Sequence, residues 1–379
     1  MKKILYISGT RADYGLMRNT LKGIAAHPNF ELHIAATGMH MMERHGYTLK
    51  EIQADGFTVH PLEVVFEHDD RAAMAAFIGH FLVKLTELCK EQKPDLILLL
   101  GDRGEMLAGA TAGIYCGIPV AHIHGGEVTS TVDEAARHAV TKLSHLHFAA
   151  TLDSATRIVK MGEDPRHVFV VGGPGLDGIH EGLMSEQETR KHFGLAESGK
   201  IALLVQHPVS EEINQAGEQM QASLEALKDA GIETVIAYPN ADAGGKKMIE
   251  VIETYRSHPQ FHIFNHIPRQ AYLSLMKHAD VMVGNSSSGI IEAPSFRLAV
   301  VNVGSRQEGR LRGQNVVEVS YQKGEILMGI RKTLFESAFL SNLQASINPY
   351  GDGRATERII QHLSEIQIDS HLLQKKIQY

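Results

Sequence analysis

Short apolar runs alternate along this chain with longer stretches whose apolar positions recur every three to four residues, and the alternation continues to about position 319. Runs too short for helices, separated by amphipathic helical patterns, predict parallel sheets covered on both faces by helices. Strands are expected near 3–7, 31–36, 58–62, 95–100, 119–123, 146–150 and 168–171, and a second series near 201–206, 233–238, 261–264, 280–284, 299–303 and 316–319. Between the series lies Gly172-Gly173-Pro174-Gly175 and a polar stretch through Lys200, which reads as a hinge. The fold class is therefore α/β with two Rossmann-like, doubly wound domains, 1–172 and 173–355. A last helical pattern from Arg354 through Ile359, Ile360 and Leu363 places a C-terminal helix in 356–379, expected to pack back on the N-terminal domain. Open α/β sheets bind ligands beyond the carboxyl ends of their strands, so the ligand is expected in a cleft between the domains.

Two helical signals need only structural explanations. Thr48-Leu49-Lys50-Glu51 matches a capping box. The stretch from Arg71 to Glu91 carries Phe77, Phe81, Leu85 and Leu88 at helical spacing, as core packing or a subunit interface requires.

A length of 379 residues exceeds one hydrophobic core, in keeping with two domains. Apolar residues at 43% and charged residues at 21% are those of a soluble globular protein. A net charge of −7 with scattered basic residues argues against nucleic acid as a partner. Cys89 and Cys116 form neither a disulfide framework nor a metal spacing, which suits a reducing cytoplasm. The run Met1 to Ile7 is too short for a signal peptide and reads as the first strand. No stretch approaches the ~18 apolar residues of a membrane span, so membrane insertion is not expected.

The chemistry is concentrated where strands end. Ala279 to Gly284 empties into Asn285-Ser286-Ser287-Ser288-Gly289 and a helix-compatible Ile290-Ile291-Glu292. Strand, small residues and helix start aim backbone N–H groups and a helix dipole at an anion, with Glu292 placed to accept from a ribose diol. A serine-rich helix cap is the alternative. The first strand leads into Ser8-Gly9-Thr10-Arg11-Ala12-Asp13-Tyr14-Gly15, which lacks the GxGxxG spacing of a nicotinamide dinucleotide site. Arg11 there can neutralise a diphosphate, or simply cap a loop.

The most apolar strand delivers Gly101-Asp102-Arg103-Gly104-Glu105, and a carboxylate at its rim is costly unless it is paired or used. Arg103 is the adjacent candidate ion-pair partner. The next strand yields His122-Ile123-His124-Gly125-Gly126-Glu127, followed by Asp133-Glu134-Ala135-Ala136-Arg137-His138 at a helix start. Spacing of two on a strand puts His122 and His124 on one face, which admits a metal site completed by Glu127, Asp133 or His138, but no metal signature supports it. The preferred reading is an acid–base set of Asp102, Glu127 and Asp133 organised by Arg137, with no metal. His207, in Gln206-His207-Pro208, ends a strand of the second series.

Taken together, Thr10-Arg11-Ala12-Asp13-Tyr14, Gly101-Asp102-Arg103, His122-Ile123-His124-Gly125-Gly126-Glu127, Arg137-His138, Gln206-His207-Pro208-Val209, Pro239-Asn240-Ala241-Asp242-Ala243-Gly244 and Gly284-Asn285-Ser286-Ser287-Ser288-Gly289 resemble the UDP-N-acetylglucosamine 2-epimerases. The likeness spans essentially the whole chain in family order and is greatest for the hydrolysing branch. It implies a GT-B-like fold, a homodimer, no cofactor, and a UDP-N-acetylhexosamine substrate held mainly by the second domain. Carried over by position, Ser286 and Ser287 bind the diphosphate with Ser288 beside them, and Glu292 binds the ribose. Ile267, after His266, lies near the uracil, while Arg11 with Ala12, Asn240 and Arg306 contact nucleotide or sugar. Asp102, Asp133 and His207 match catalytic positions, with Arg103 and Arg137 as supports and His122 and His138 on the sugar side. His124 stands where much of the family has glutamate, which shifts acid–base work toward Glu127 or Asp102.

The reaction so implied releases UDP by anti-elimination and adds water to a 2-acetamidoglycal, giving N-acetylmannosamine for sialic acid or related nonulosonate synthesis. The same reaction on UDP-N,N′-diacetylbacillosamine, a non-hydrolysing epimerase and a GT-B glycosyltransferase are the alternatives, and a non-catalytic UDP-sugar sensor is disfavoured by so many acids at strand ends. Loops around Gly38 to Met42 and 66–74 are candidates for choosing the sugar.

Overall fold

A computed structural model describes residues 1–43, 47–64, 71–128, 132–209, 212–240 and 244–379, with the backbone alone at 71, 132 and 133. The Asp133 side chain, Ala241 to Ala243 and most of the 66–74 loop therefore lie outside the described residues. The chain forms two compact units, Met1–Gly178 with Tyr350–Tyr379, and Ile179–Pro349.

The first unit is built on a parallel sheet of β1 (Lys2–Ser8), β2 (Phe30–Ala36), β3 (Thr58–Pro61), β4 (Leu96–Leu100), β5 (Val120–Ile123), β6 (Leu146–Ala149) and β7 (Val168–Val170), in the order β3-β2-β1-β4-β5-β6-β7. Its helices are α1 (Arg11–Ala26), α2 (Leu49–Ala54), α3 (Arg71–Gln92), α4 (Gly104–Cys116), α5 (Val132–Leu143) and α6 (Leu152–Lys160). The second unit has β8 (Ile201–Val205), β9 (Glu233–Ala237), β10 (Phe261–Phe264), β11 (Val281–Gly284), β12 (Ala299–Val303) and β13 (Val316–Val319), also parallel, in the order β10-β9-β8-β11-β12-β13. Around it lie α7 (Glu186–Phe193), α8 (Ala216–Ala230), α9 (Gly245–Glu253), α10 (Arg269–His278), α11 (Ser287–Ile291), α12 (Lys323–Phe335) and α13 (Ser337–Ala345). In the first unit, α14 (Ala355–Glu365) and α15 (Ser370–Leu373) complete the chain's helices among the described residues.

Every expected strand is present, its ends within one residue of the apolar run that predicted it. For the central strands the reason is burial on both faces, which favours apolar residues throughout; all five residues of β4 and of β8 are buried, whereas β3 and β13 are only partly covered. Ile359 and Leu363 of α14 are buried in the cluster that holds Met17 and Leu21 of α1. Each such burial is worth roughly 1.5–3 kcal/mol. Lys2 Nζ secures this helix by donating to the carbonyls of Leu363 (2.9 Å), Ser364 (3.2 Å) and Ile366 (2.6 Å).

Two local expectations are corrected. Thr48 does not cap α2: its backbone is already helical, and its hydroxyl lies 2.7 Å from His40 Nδ1. Working capping boxes are formed instead by Thr10 with Asp13 at the start of α1 and by Ser185 with Glu188 at the start of α7. Among the described residues α3 is also long and apolar enough to cross a membrane by composition. One face of it buries Phe77, Phe81, Leu85, Leu88 and Cys89 in the core of the first unit, and it packs along α4.

The strand orders fix where chemistry can sit. In the first unit the order reverses between β1 and β4, and in the second between β8 and β11. Chains leave such neighbouring strands in opposite directions, opening a crevice at their carboxyl ends.

Candidate active site

At the first switch point the loop after β1 is organised by Asp13. Its carboxylate accepts from Gly9 N–H (3.0 Å), Thr10 N–H (2.7 Å) and the Thr10 hydroxyl (2.9 Å), and also from Ser8. Burial pushes its pKa up, against the pull of those donors. Sequence reasoning quoted Asp13 within a motif but gave it no role. Arg11 and Ala12 are exposed beside it, and Arg11 Nε lies 3.1 Å from Glu51. An exposed pair of this kind is worth about 0–1 kcal/mol, leaving the guanidinium available to a stronger anion.

After β4, Asp102 forms an ion pair with Arg137 from α5. Arg103, the partner suggested by adjacency, faces Glu105 instead, with Nε 3.4 Å from that fully buried carboxylate. Arg137 is nearly buried and forks, its second nitrogen donating to the His124 carbonyl at 2.8 Å. This geometry suits a planar guanidinium and holds a carboxylate that remains 20% exposed at the sheet rim.

The shared face of His122 and His124 does not form. β5 ends at Ile123, and His124 takes φ 63°, so strand alternation stops before it. The His122 ring is sealed in the protein, Nε2 2.7 Å from Gly101 O and Nδ1 3.2 Å from the Thr141 hydroxyl. Both nitrogens are thus engaged, and burial lowers its pKa to about 3. His124 Nδ1 lies 3.1 Å from the nearly buried Glu127 carboxylate. His138 Nε2 is 3.5 Å from Glu134 one turn earlier. No group of three or more potential metal ligands occurs among the described residues.

In the second unit, Gly284 (φ 121°) brings β11 so close to β8 that a Cβ there would stand 2.2 Å from Val205 O. The chain then enters Asn285, whose side chain braces the neighbouring strand end. Its Oδ1 accepts from His207 N–H at 2.7 Å and its Nδ2 donates to His207 O at 2.9 Å. Asn285 O in turn accepts from Arg306 (3.2 Å) and Gln307 (2.9 Å). His207 Nδ1 accepts from Asn240 N–H at 3.0 Å, which assigns its proton to Nε2. Burial, with Arg306 assisting, lowers its pKa to about 4, so it is neutral at pH 7.

Ser286 caps α11, and its hydroxyl is 2.9 Å from that of Ser288, which lies 2.6 Å from the hydroxyl of the half-buried Tyr272. Ser287 opens the helix and is half-buried. Glu292 closes it, nearly buried and paired with Arg269; burial pushes its pKa up against that partner. His266 is exposed and Ile267 half-buried after β10. Asn285, Tyr272 and Arg269 were given no role from sequence, since only the fold brings α10 and β8 against the β11 turn.

His40, His122 and His207 are all held neutral, with pKa values of about 4, 3 and 4. Unfolded histidines titrate near 6.5, so as pH falls below that value the unfolded chain takes up protons the folded chain refuses. Stability is therefore lost between pH 6.5 and about 4, on the order of 2 kcal/mol per histidine at pH 5. The melting temperature is expected to drop several degrees from pH 7.5 to 5.0; an unchanged value contradicts the neutral assignments.

A sequence model of the UDP-N-acetylglucosamine 2-epimerase family matches residues 22–364. The UDP-N,N′-diacetylbacillosamine 2-epimerase (hydrolyzing) of Legionella pneumophila is 43% identical over 377 residues, 99% of each chain. The UDP-N-acetylglucosamine 2-epimerase of Neisseria meningitidis is 37% identical over 88% of this chain and 87% of that protein. A crystal structure of a Neisseria meningitidis UDP-GlcNAc 2-epimerase bound to UDP-GlcNAc superposes with a TM-score of 0.82 at 19% identity, covering 96% of this chain and all of that one, and shows a shared fold. Two parallel sheets with switch-point crevices and acids at the strand ends define an enzyme of the GT-B-like class. The chain belongs to the UDP-N-acetylglucosamine 2-epimerase family.

Proposed function

We propose that this enzyme converts a UDP-linked 2-acetamido sugar to UDP and the free sugar inverted at C2. The observation that carries the reading is the Asp102–Arg137 pair beside His124 and Glu127, where carboxylates are oriented at a sheet rim yet one remains partly exposed. The C2 proton of such a sugar has no neighbouring ketone to acidify it, so its removal must accompany loss of UDP. In an anti-elimination the C2–H electron pair becomes the C1=C2 bond of a 2-acetamidoglycal, and the C1–O bond breaks toward the diphosphate. Water then adds at C1 while C2 receives a proton on its other face.

Asp102, Glu127 and Asp133 supply the base and the group that delivers water, with Arg137 and Arg103 as supports and His122 and His138 on the sugar side. Ser286, Ser287 and Ser288, with Arg11, Ala12 and Arg306, receive the departing diphosphate. Glu292 takes the ribose diol, Asn240, His266 and Ile267 the rest of the nucleotide. His207 presents Nε2–H to the leaving group. The 43% identity to the Legionella protein favours UDP-N,N′-diacetylbacillosamine as substrate. UDP-N-acetylglucosamine, yielding N-acetylmannosamine for sialic acid or a related nonulosonate, is the second reading, supported by the Neisseria relative.

Incubating each nucleotide sugar with the enzyme in D₂O and following the products by NMR tests the reaction. The expected result is UDP plus a free C2-inverted sugar with one deuterium at C2. A product still linked to UDP indicates a non-hydrolysing epimerase, and no turnover without an acceptor indicates a glycosyltransferase.

A further inference from the structure

Lys375 is more than 200 residues from every other member of the cluster it completes. Its ammonium sits at the carboxyl end of α5, donating to the carbonyls of Thr141 (3.2 Å), Lys142 (2.6 Å) and Ser144 (2.5 Å). The last carbonyls of a helix lack intrahelical partners, and a cation there also meets the negative end of the helix dipole. The same ammonium lies 2.6 Å from Glu163, which is 2% exposed and also engages Lys142 (2.6 Å) and His147 (3.0 Å). Burial raises the Glu163 pKa, but His147, Lys142 and Lys375 together bring it down to about 2. Burial lowers that of Lys375, and Glu163 opposes the shift. Nearby, Gln378 N–H donates to Gly162 O at 3.2 Å, and the Tyr379 ring leaves no room for a Cβ at Gly162.

What α5 carries gives this anchor its significance. Arg137, one turn before Thr141, orients Asp102 and holds the His124 carbonyl. Thr141 itself, whose carbonyl Lys375 grips, meets His122 Nδ1 through its hydroxyl, and His122 Nε2 meets the carbonyl of Gly101, the residue before Asp102. Two routes thus run from the Lys375 contact to Asp102, one along the helix and one through His122.

We propose that Lys375 is a positioning residue: by locking the last turn of α5 it sets the Asp102 carboxylate and the Arg137 fork for elimination. The inference rests on the proposed epimerase reaction. Lys375 touches no reacting atom, and the nucleotide groups named above are mostly on the other unit, so its loss acts on turnover rather than on binding.

Lys375→Met keeps the aliphatic stem and leaves Glu163 paired with Lys142 and His147, so the fold tolerates it. Its kcat is expected to fall about tenfold, less than the ~100-fold that a 1 Å misplacement can cost. KM should stay within about twofold, because ground-state binding is untouched. Lys375→Arg, which restores a cation, should recover most of the activity, and Lys376→Met should match wild type. Thr141→Val removes the His122 contact, and combined with Lys375→Met its effect should be less than multiplicative, as for groups acting through one path.

Wild-type kcat in Lys375→Met, fully multiplicative effects, or a change confined to KM overturns the positioning role. If Lys375→Met does not fold, Lys375→Gln, which removes the charge but keeps a donor toward the helix carbonyls, takes its place: a lowered kcat at unchanged KM supports the positioning role, and wild-type kcat refutes it. Release of UDP by the wild-type enzyme is measured in the same assay, and its absence overturns the epimerase reading together with this one.

Discussion

Asp102→Asn is expected to lower kcat by ~10²–10⁴-fold while the dissociation constant for UDP stays nearly unchanged. Asparagine is isosteric with aspartate and keeps one oxygen facing Arg137, so the site retains its shape. The loss is of charge and basicity. Arg137 is almost buried, and an uncompensated guanidinium costs stability; its second bond, to the His124 carbonyl, and the partial exposure of position 102 limit that cost. A modest drop in melting temperature is therefore expected beside a large drop in turnover. Calorimetric titration with UDP and a continuous assay for UDP release separate the two, and full activity in this variant would falsify the role of Asp102.

Ser287→Glu is the converse case. The position opens α11, where the first N–H groups have no intrahelical partners and an acid is favourable in the free protein. The introduced carboxylate therefore supports the helix while occupying and repelling the site meant for the diphosphate. UDP affinity is expected to fall ~100-fold or more, a loss of about 2.7 kcal/mol. In melting experiments with saturating UDP, Asp102→Asn should show the wild-type stabilisation and Ser287→Glu none, since a ligand stabilises only what it binds. A UDP-induced shift surviving in Ser287→Glu would remove that turn from the nucleotide site.

The contrast between these positions shows how far the residues could be read before the fold was known. The β11 turn was legible because its signal is local: an apolar strand, a run of serines and a helix start follow one another within a few residues. Asp102 was legible for the same reason, as an acid ending the most apolar strand. Arg137 was read as the organiser of the acid set, but the direct pair with Asp102 was given to the adjacent Arg103: Arg137 is 35 residues away and reaches Asp102 only through the β5 crossover, whereas Arg103 turns to Glu105. Thr48 mimicked a capping box that the backbone does not use, its hydroxyl being taken by His40. The paired spacing of His122 and His124 misled because alternation holds only while the strand lasts, and β5 stops one residue too soon.

Periodicity located the thirteen strands found among the described residues and their parallel class, most clearly for central strands such as β4 and β8, which are buried on both faces and so apolar at every position. It also located the rims at which polar residues gather. Which of those residues meet was settled by strand order and helix docking: the switch points select the loops after β1, β4, β8 and β11, and α5 carries Arg137 to Asp102. Contacts such as Lys375 on the end of α5, or Asn285 bracing His207, join segments remote in sequence. Such pairings follow from packing of the whole chain, and no local pattern of residues encodes them.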